Sequence, residues 1–106
     1  MTERLGQIAV IFLSVRTEAH DDDYQAAAAA MDALAAAQPG YCGMESARGA
    51  DRLGITVSYW ADEVQAKAWR DHPDHKRIRD LGRSHWYHRY EVIVAEVTRD
   101  YAWSAT

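Results

Sequence analysis

His75 is the side chain in this sequence best suited to moving a proton, because an imidazole changes charge near neutral pH. On a helix that starts at Pro73 it shares the sheet-facing side with Ile78 and Gly82, with Leu81 beside them. A histidine placed there reads in two ways. It is a hydrogen-bonded core residue, or, where it borders a cavity, a general base. Trp69 lies one turn before His72, and Trp60 closes a strand-like run just after Tyr59. Trp86, Tyr87 and Tyr90 open another. Such rings either fill a small core or wall a pocket that holds a flat ligand by stacking. Trp60, Trp69, Tyr59 and His72 are therefore the candidate binding residues, with Arg79 in reach of an anionic group.

Other chemistries lack their residues. His72 and His75, with Asp71 and Asp74 nearby, have a spacing that suggests a metal site, but Pro73 turns the two rings apart and no third ligand is evident. No metal is expected. Cys42 is a lone thiol on a strand and reads as a small buried hydrophobe. Arg83, Arg89 and Arg99 read as surface or interface ion-pair partners. No glycine-rich phosphate loop, HExxH, paired CxxC or GxSxG elbow occurs.

Composition narrows the class further. The chain has 106 residues, 48% of them hydrophobic and 26% charged, which suits one folded domain over residues 1–106. Its net charge of -4 disfavours nucleic acid, whose phosphates are bound by Lys and Arg. One cysteine excludes an internal disulfide. The strongest apolar run, Ile8 to Leu13, falls far short of the about 20 residues that span a bilayer. Arg16 and Glu18 follow too closely for a secretory signal. A cytoplasmic protein without membrane or nucleic-acid partners is expected.

The elements that position these residues follow from periodicity. Tyr24, Ala27, Ala28, Met31, Leu34 and Ala35 make one helical stripe over residues 21–37. Asp21, Asp22 and Asp23 lie at its positive end, and Gln38-Pro39-Gly40 stops it. Strands are expected over residues 7–16, 41–48, 54–60 and 86–99, the middle two as a hairpin. Helical segments fill 62–71 and 73–82. The order is β-α-β-β-α-β, a ferredoxin-like α+β unit with an antiparallel sheet. Its first strand is apolar on both faces (Ile8, Val10, Phe12 and Ala9, Ile11, Leu13, Val15), and the last repeats the pattern. Two helices cover one face only. The other face calls for a second copy across a two-fold axis, giving a homodimer.

Several stretches together resemble one family. Gln38-Pro39-Gly40-Tyr41-Cys42-Gly43-Met44-Glu45-Ser46 is similar to the start of the second strand in the antibiotic biosynthesis monooxygenase (ABM) family. Gly54-Ile55-Thr56-Val57-Ser58-Tyr59-Trp60, Ala68-Trp69, His72-Pro73-Asp74-His75, Gly82-Arg83, Trp86-Tyr87 and Val94-Ala95-Glu96-Val97 continue the likeness in order, over about residues 7–101. The resemblance implies a dimeric α/β-barrel with a cavity between helices and sheet. It also implies one of two activities: oxidation of aromatic phenols to quinones by O2 without a cofactor, or degradation of haem. In the first group Trp60 matches the strand tryptophan, but Thr56 stands for its asparagine and Ala66 for its helix tyrosine. In the second, Trp69 matches the helix tryptophan. Arg79 falls where the haem ligand stands, His75 lies one turn earlier, and the first strand lacks the expected asparagine.

These points together give an expectation of cofactor-independent oxidation of a small aromatic or phenolic substrate. His75 is the base, with Trp60, Trp69, Tyr59, His72 and Arg79 around the ligand. A non-catalytic ligand-binding module on the same fold is the alternative reading, and haem binding through His75 a further one.

Overall fold

The computed structural model describes residues 3–105. Its elements are β1 (Ile8–Arg16), α1 (Asp21–Ala36), β2 (Tyr41–Arg48), β3 (Leu53–Trp60), α2 (Glu63–Arg70), α3 (Pro73–Leu81), a π-helical turn (Gly82–Trp86) and β4 (Tyr87–Glu96). The four strands form one sheet in the order β2-β3-β1-β4, with each neighbouring pair antiparallel. This is the ferredoxin-like α+β arrangement that the element order implied.

The helix signals act as the residue types dictate. In α1, alanines carry the helix at low entropic cost, and the Asp21–Asp23 carboxylates face its positive end. Gly40 ends the turn that follows with φ of 82°, and a side chain there would run into Gln65, so glycine is required on both counts. The Asp62 carboxylate caps α2 by accepting from the Gln65 amide at 2.8 Å. His72 caps α3, its Nδ1 accepting from the Asp74 amide at 3.2 Å, with Pro73 in the first turn.

The core lies on the helix side of the sheet. Ile8, Ala35, Trp60, Ala66 and Trp69 form one buried cluster, with Val10, Met31, Leu34, Tyr41 and Met44 packed around it. Alternation and register put Ile8, Val10, Phe12 and Ser14 of β1 on this side, opposite Trp60, Ser58, Thr56 and Gly54 of β3. The reverse side carries Ala9, Ile11, Leu13 and Val15, facing Tyr59, Val57, Ile55 and Leu53 in β3 and Ala95, Ile93, Glu91 and Arg89 in β4. The α1 and α2 residues of the core belong to the first side. Leu53, Ile55 and Ile93 on the reverse remain 44%, 42% and 39% exposed.

Two details at the end of β1 depart from the sequence expectation. The register slips between Val15 and Arg16, so that His88 is an extra residue in β4. Such a bulge turns the residues beyond it to the other face. Tyr87 and Tyr90 consequently lie on the same side, and both touch Phe12, with ring centroids 5.4 and 5.3 Å away. Trp86, expected to open the strand, instead ends the π turn and is buried. Arg16 binds this junction together. It is buried, donates to the carbonyls of Trp86 and Ala19 at 3.1 Å each, pairs with Asp21, and sets its guanidinium over the Tyr24 ring, 3.8 Å from the centroid.

Candidate functional site

The end of β3, α2 and the start of α3 bring four of the six candidate residues together. Trp60, at the last position of β3, is fully buried, and its indole N–H donates to Ser58 Oγ at 3.0 Å. Trp69, one helix away, stacks on it at 5.9 Å and 22°. His75 lies nearly parallel to the opposite face of that layer, 4.5 Å from the Trp69 ring at 9°. His72 tilts against Trp69 at 5.7 Å. The result is a stack of imidazole, indole and indole running from the α2–α3 junction to the sheet, with Tyr41 edge-on at its inner end.

Tyr59 and Arg79 stand apart from the stack. Tyr59 neighbours Trp60 on an extended strand and so projects from the reverse side of the sheet, where the Arg4 guanidinium covers its ring at 3.7 Å. Arg79 follows His75 by one turn on α3. Its Nε is buried without a hydrogen-bond partner, which leaves a donor available for an anionic oxygen.

The electrostatics of His75 have a definite direction. Burial pushes its pKa below the ordinary imidazole value, and the charges on Arg79 and His72 push the same way. Hydrogen bonds to the backbone carbonyls of Trp69 and, more weakly, Arg70 oppose them. A carbonyl only accepts, so His75 Nδ1, 3.1 Å from that oxygen, carries the proton. Nε2 then holds the lone pair. His75 is thus a neutral imidazole near pH 7 with its basic nitrogen fixed, which is the state a proton acceptor requires. His72 has the opposite polarity: its Nδ1 accepts the Asp74 amide and serves as a helix cap.

The indoles are packed as core instead of surrounding an enclosed space. Trp69 touches an open hollow of about 250 Å³ between the α1–β2 turn and α2, lined also by Gln38, Pro39, Val64, Gln65 and Ala68. Gln65 Oε1 is buried there without a partner. A second hollow of about 260 Å³ lies at the start of β4, lined by Arg83, Tyr87, His88, Arg89 and Tyr90. His75 borders neither. Sequence reasoning grouped Tyr87 and Tyr90 with the first set of rings. The bulge places them with Phe12 and Tyr24 in a separate corner, and alternation alone cannot reveal a bulge. Burial and the adjacent Tyr24 hydroxyl hold the Tyr87 phenol protonated far above its ordinary range.

Among the described residues, no three His, Cys, Asp or Glu side chains converge as for a metal ion, and no helix is long and apolar enough to cross a membrane. Arg79, which the resemblance sets at the haem ligand's position, has no lone pair to offer iron.

Fold and stack together define a ferredoxin-like domain with an aromatic–imidazole site. The model of the antibiotic biosynthesis monooxygenase family matches residues 7–81, and the chain belongs to that family. An uncharacterized protein of Bacillus subtilis, YqjZ, is 50% identical over 91 residues, covering 86% of this chain and 79% of that protein. Among solved structures, the cofactor-independent oxygenase SnoaB of Streptomyces nogalater superposes with a TM-score of 0.76 at 13% identity, over 90% of this chain and 96% of SnoaB. Rv0793 of Mycobacterium tuberculosis does so with a TM-score of 0.79 at 14% identity, over 91% of this chain and 99% of Rv0793. At such identities these two likenesses speak for the fold alone.

Proposed function

We propose that this ABM-family protein oxidises a small phenolic or fused-ring substrate with O2 and without a cofactor. The observation that carries the reading is His75, a neutral imidazole whose Nδ1 is tied to the Trp69 carbonyl and whose Nε2 is left basic. Nε2 removes the substrate's acidic proton. The resulting anion is electron-rich enough to reduce O2 itself, first by one electron, giving a substrate radical and superoxide. Their recombination forms a carbon–oxygen bond as a peroxide. Loss of water, with one hydrogen leaving the same carbon, yields the carbonyl of a quinone; the second oxygen atom departs in the water. The protein's share is to hold the ring, take the proton and exclude bulk water. Trp69, backed by Trp60, holds the imidazole ring in place from the sheet side, and the substrate ring approaches from the side of His75 that Trp69 leaves uncovered. Arg79 Nε supplies a donor for the developing negative charge. His72 positions the α3 start, and Tyr59, covered by Arg4 on the reverse side of the sheet, takes no part in this step.

A homodimer is part of the same reading. The reverse face, with Leu53, Ile55 and Ile93 exposed beside Ile11 and Leu13, is wide and apolar, and a second copy packed on it sheet to sheet would dry it. A cytoplasmic location accords with the lone Cys42 thiol.

The test is conversion of an anthrone to its anthraquinone in air, followed by absorbance. Parent protein should accelerate it, and His75→Ala should remove about 99% of that acceleration or more, in line with the about 10²–10⁴-fold range of general base catalysis. A variant as fast as the parent would take His75 out of the mechanism. Binding without turnover is the second reading, favoured by the complete burial of Trp60. Saturable anthrone binding with no oxygen uptake would establish it.

A further inference from the structure

We infer that the hollow at the start of β4 is a binding site for the acidic group of a flat aromatic ligand, with the rings lying on the apolar floor beside it. The inference rests on the aromatic-ligand reading above and adds the ligand's charge. The floor comes from register: Val10 pairs with Val94 and Phe12 with Val92, so all four share the helix side of the sheet. The helices leave its β4 half open, with Val92 and Val94 50% and 54% exposed. Tyr90 continues this row towards the hollow, and Phe12, Tyr87 and Tyr90 make a three-ring corner there.

The lining supplies the charge. Arg83 supplies it beside Tyr87, His88 and Tyr90, and no carboxylate lines the hollow, while Arg89 borders it from the reverse side of β4. Asp80 is 4.0 Å from Arg83 Nη1, at the edge of ion-pair range, and offsets part of its charge. The Arg83 Nε donates to Tyr90 Oη at 2.7 Å, which fixes the guanidinium over the corner and leaves its other N–H groups free to meet an anion. Tyr87, hydrogen-bonded to Tyr24, remains a neutral phenol and brings no negative charge to the hollow. His75, Arg79 and Arg83 also follow one another at four-residue steps along α3 and the π turn, so the base and the two guanidinium groups lie along one helical run.

The test compares 2-naphthoate with its neutral isostere 2-naphthamide by titration calorimetry on the full chain. The acid should bind about three- to fivefold more tightly, the scale of an exposed charge pair, and the preference should shrink in high salt. Arg83→Gln should abolish the preference, so that acid and amide bind with the same affinity. Its side chain is 61% exposed, so the fold is retained. Val92→Ser should weaken both probes alike. Equal affinity for acid and amide, a preference that survives Arg83→Gln, or no binding of either because a second copy covers the floor would each overturn the inference. Oxygen uptake is read separately. Acid preference without uptake refutes the oxygenase reading alone, and uptake without acid preference refutes this site alone.

Discussion

His75 predicts a specific acid sensitivity. Burial and the nearby Arg79 and His72 hold its folded-state pKa below the ordinary 6.5 of the unfolded chain. The folded protein therefore binds fewer protons than the unfolded one once the pH drops. Above about 6.5 both states carry neutral imidazole and His75 contributes no pH dependence. Below it, the unfolded chain takes up the proton first, and stability falls by at most about 1.4 kcal/mol per pH unit until the folded-state pKa is reached. His75→Phe keeps a flat ring against Trp69, where the stack spacing is 4.5 Å, and removes the titration. The assay is urea unfolding of both proteins at pH 7.5, 6.5 and 5.5. The unfolded imidazole is already half protonated at pH 6.5, so the loss from there to pH 5.5 is at most about 1 kcal/mol; with m near 1–3 kcal/mol/M, the parent's midpoint should fall by up to roughly 0.3–1 M more than the variant's. Carboxylates and other histidines cancel in that difference. Parallel midpoints for the two proteins across the range would refute the assignment of a buried, neutral His75.

Trp60→Ala should cost about 3–5 kcal/mol in chemical denaturation, because it opens a large void and strands the Ser58 hydroxyl against the core. Asp62→Ala removes the cap of α2 and should cost about 1 kcal/mol, read as a drop in Tm. Ile93→Asp, on the reverse face of the sheet, should convert a sedimenting dimer into a monomer that keeps its far-UV circular dichroism. A parent that sediments as a monomer at micromolar concentration would contradict the dimer.

The architecture was legible because its signals were local and redundant. The alanine-rich stripe of α1, the Pro73 start of α3 and the alternating Ile55, Val57 and Tyr59 each report on backbone periodicity, and the strand order follows from the sequence of elements. His72 as a cap could also be read, since His-Pro-Asp is a helix-start pattern. The arrangement of the rings was less accessible. Whether Trp60 and Trp69 enclose a space or fill it depends on how closely α2 approaches the sheet, a distance the sequence does not encode locally. The structure brings their ring centroids to 5.9 Å and closes that gap. The β4 corner depends on one extra residue, His88, which reverses the facing of Tyr87 relative to strict alternation. The tautomer of His75 depends on the Trp69 carbonyl, a backbone atom six residues away.

The most direct test of oxygenation is turnover of a responsive anthrone under isotopically labelled dioxygen, with the product read by mass spectrometry. Insertion of one labelled oxygen atom into the quinone, dependent on parent protein and lost in His75→Ala, is the predicted result. A quinone that carries unlabelled oxygen from water, or one formed at the same rate without the protein, would contradict the account.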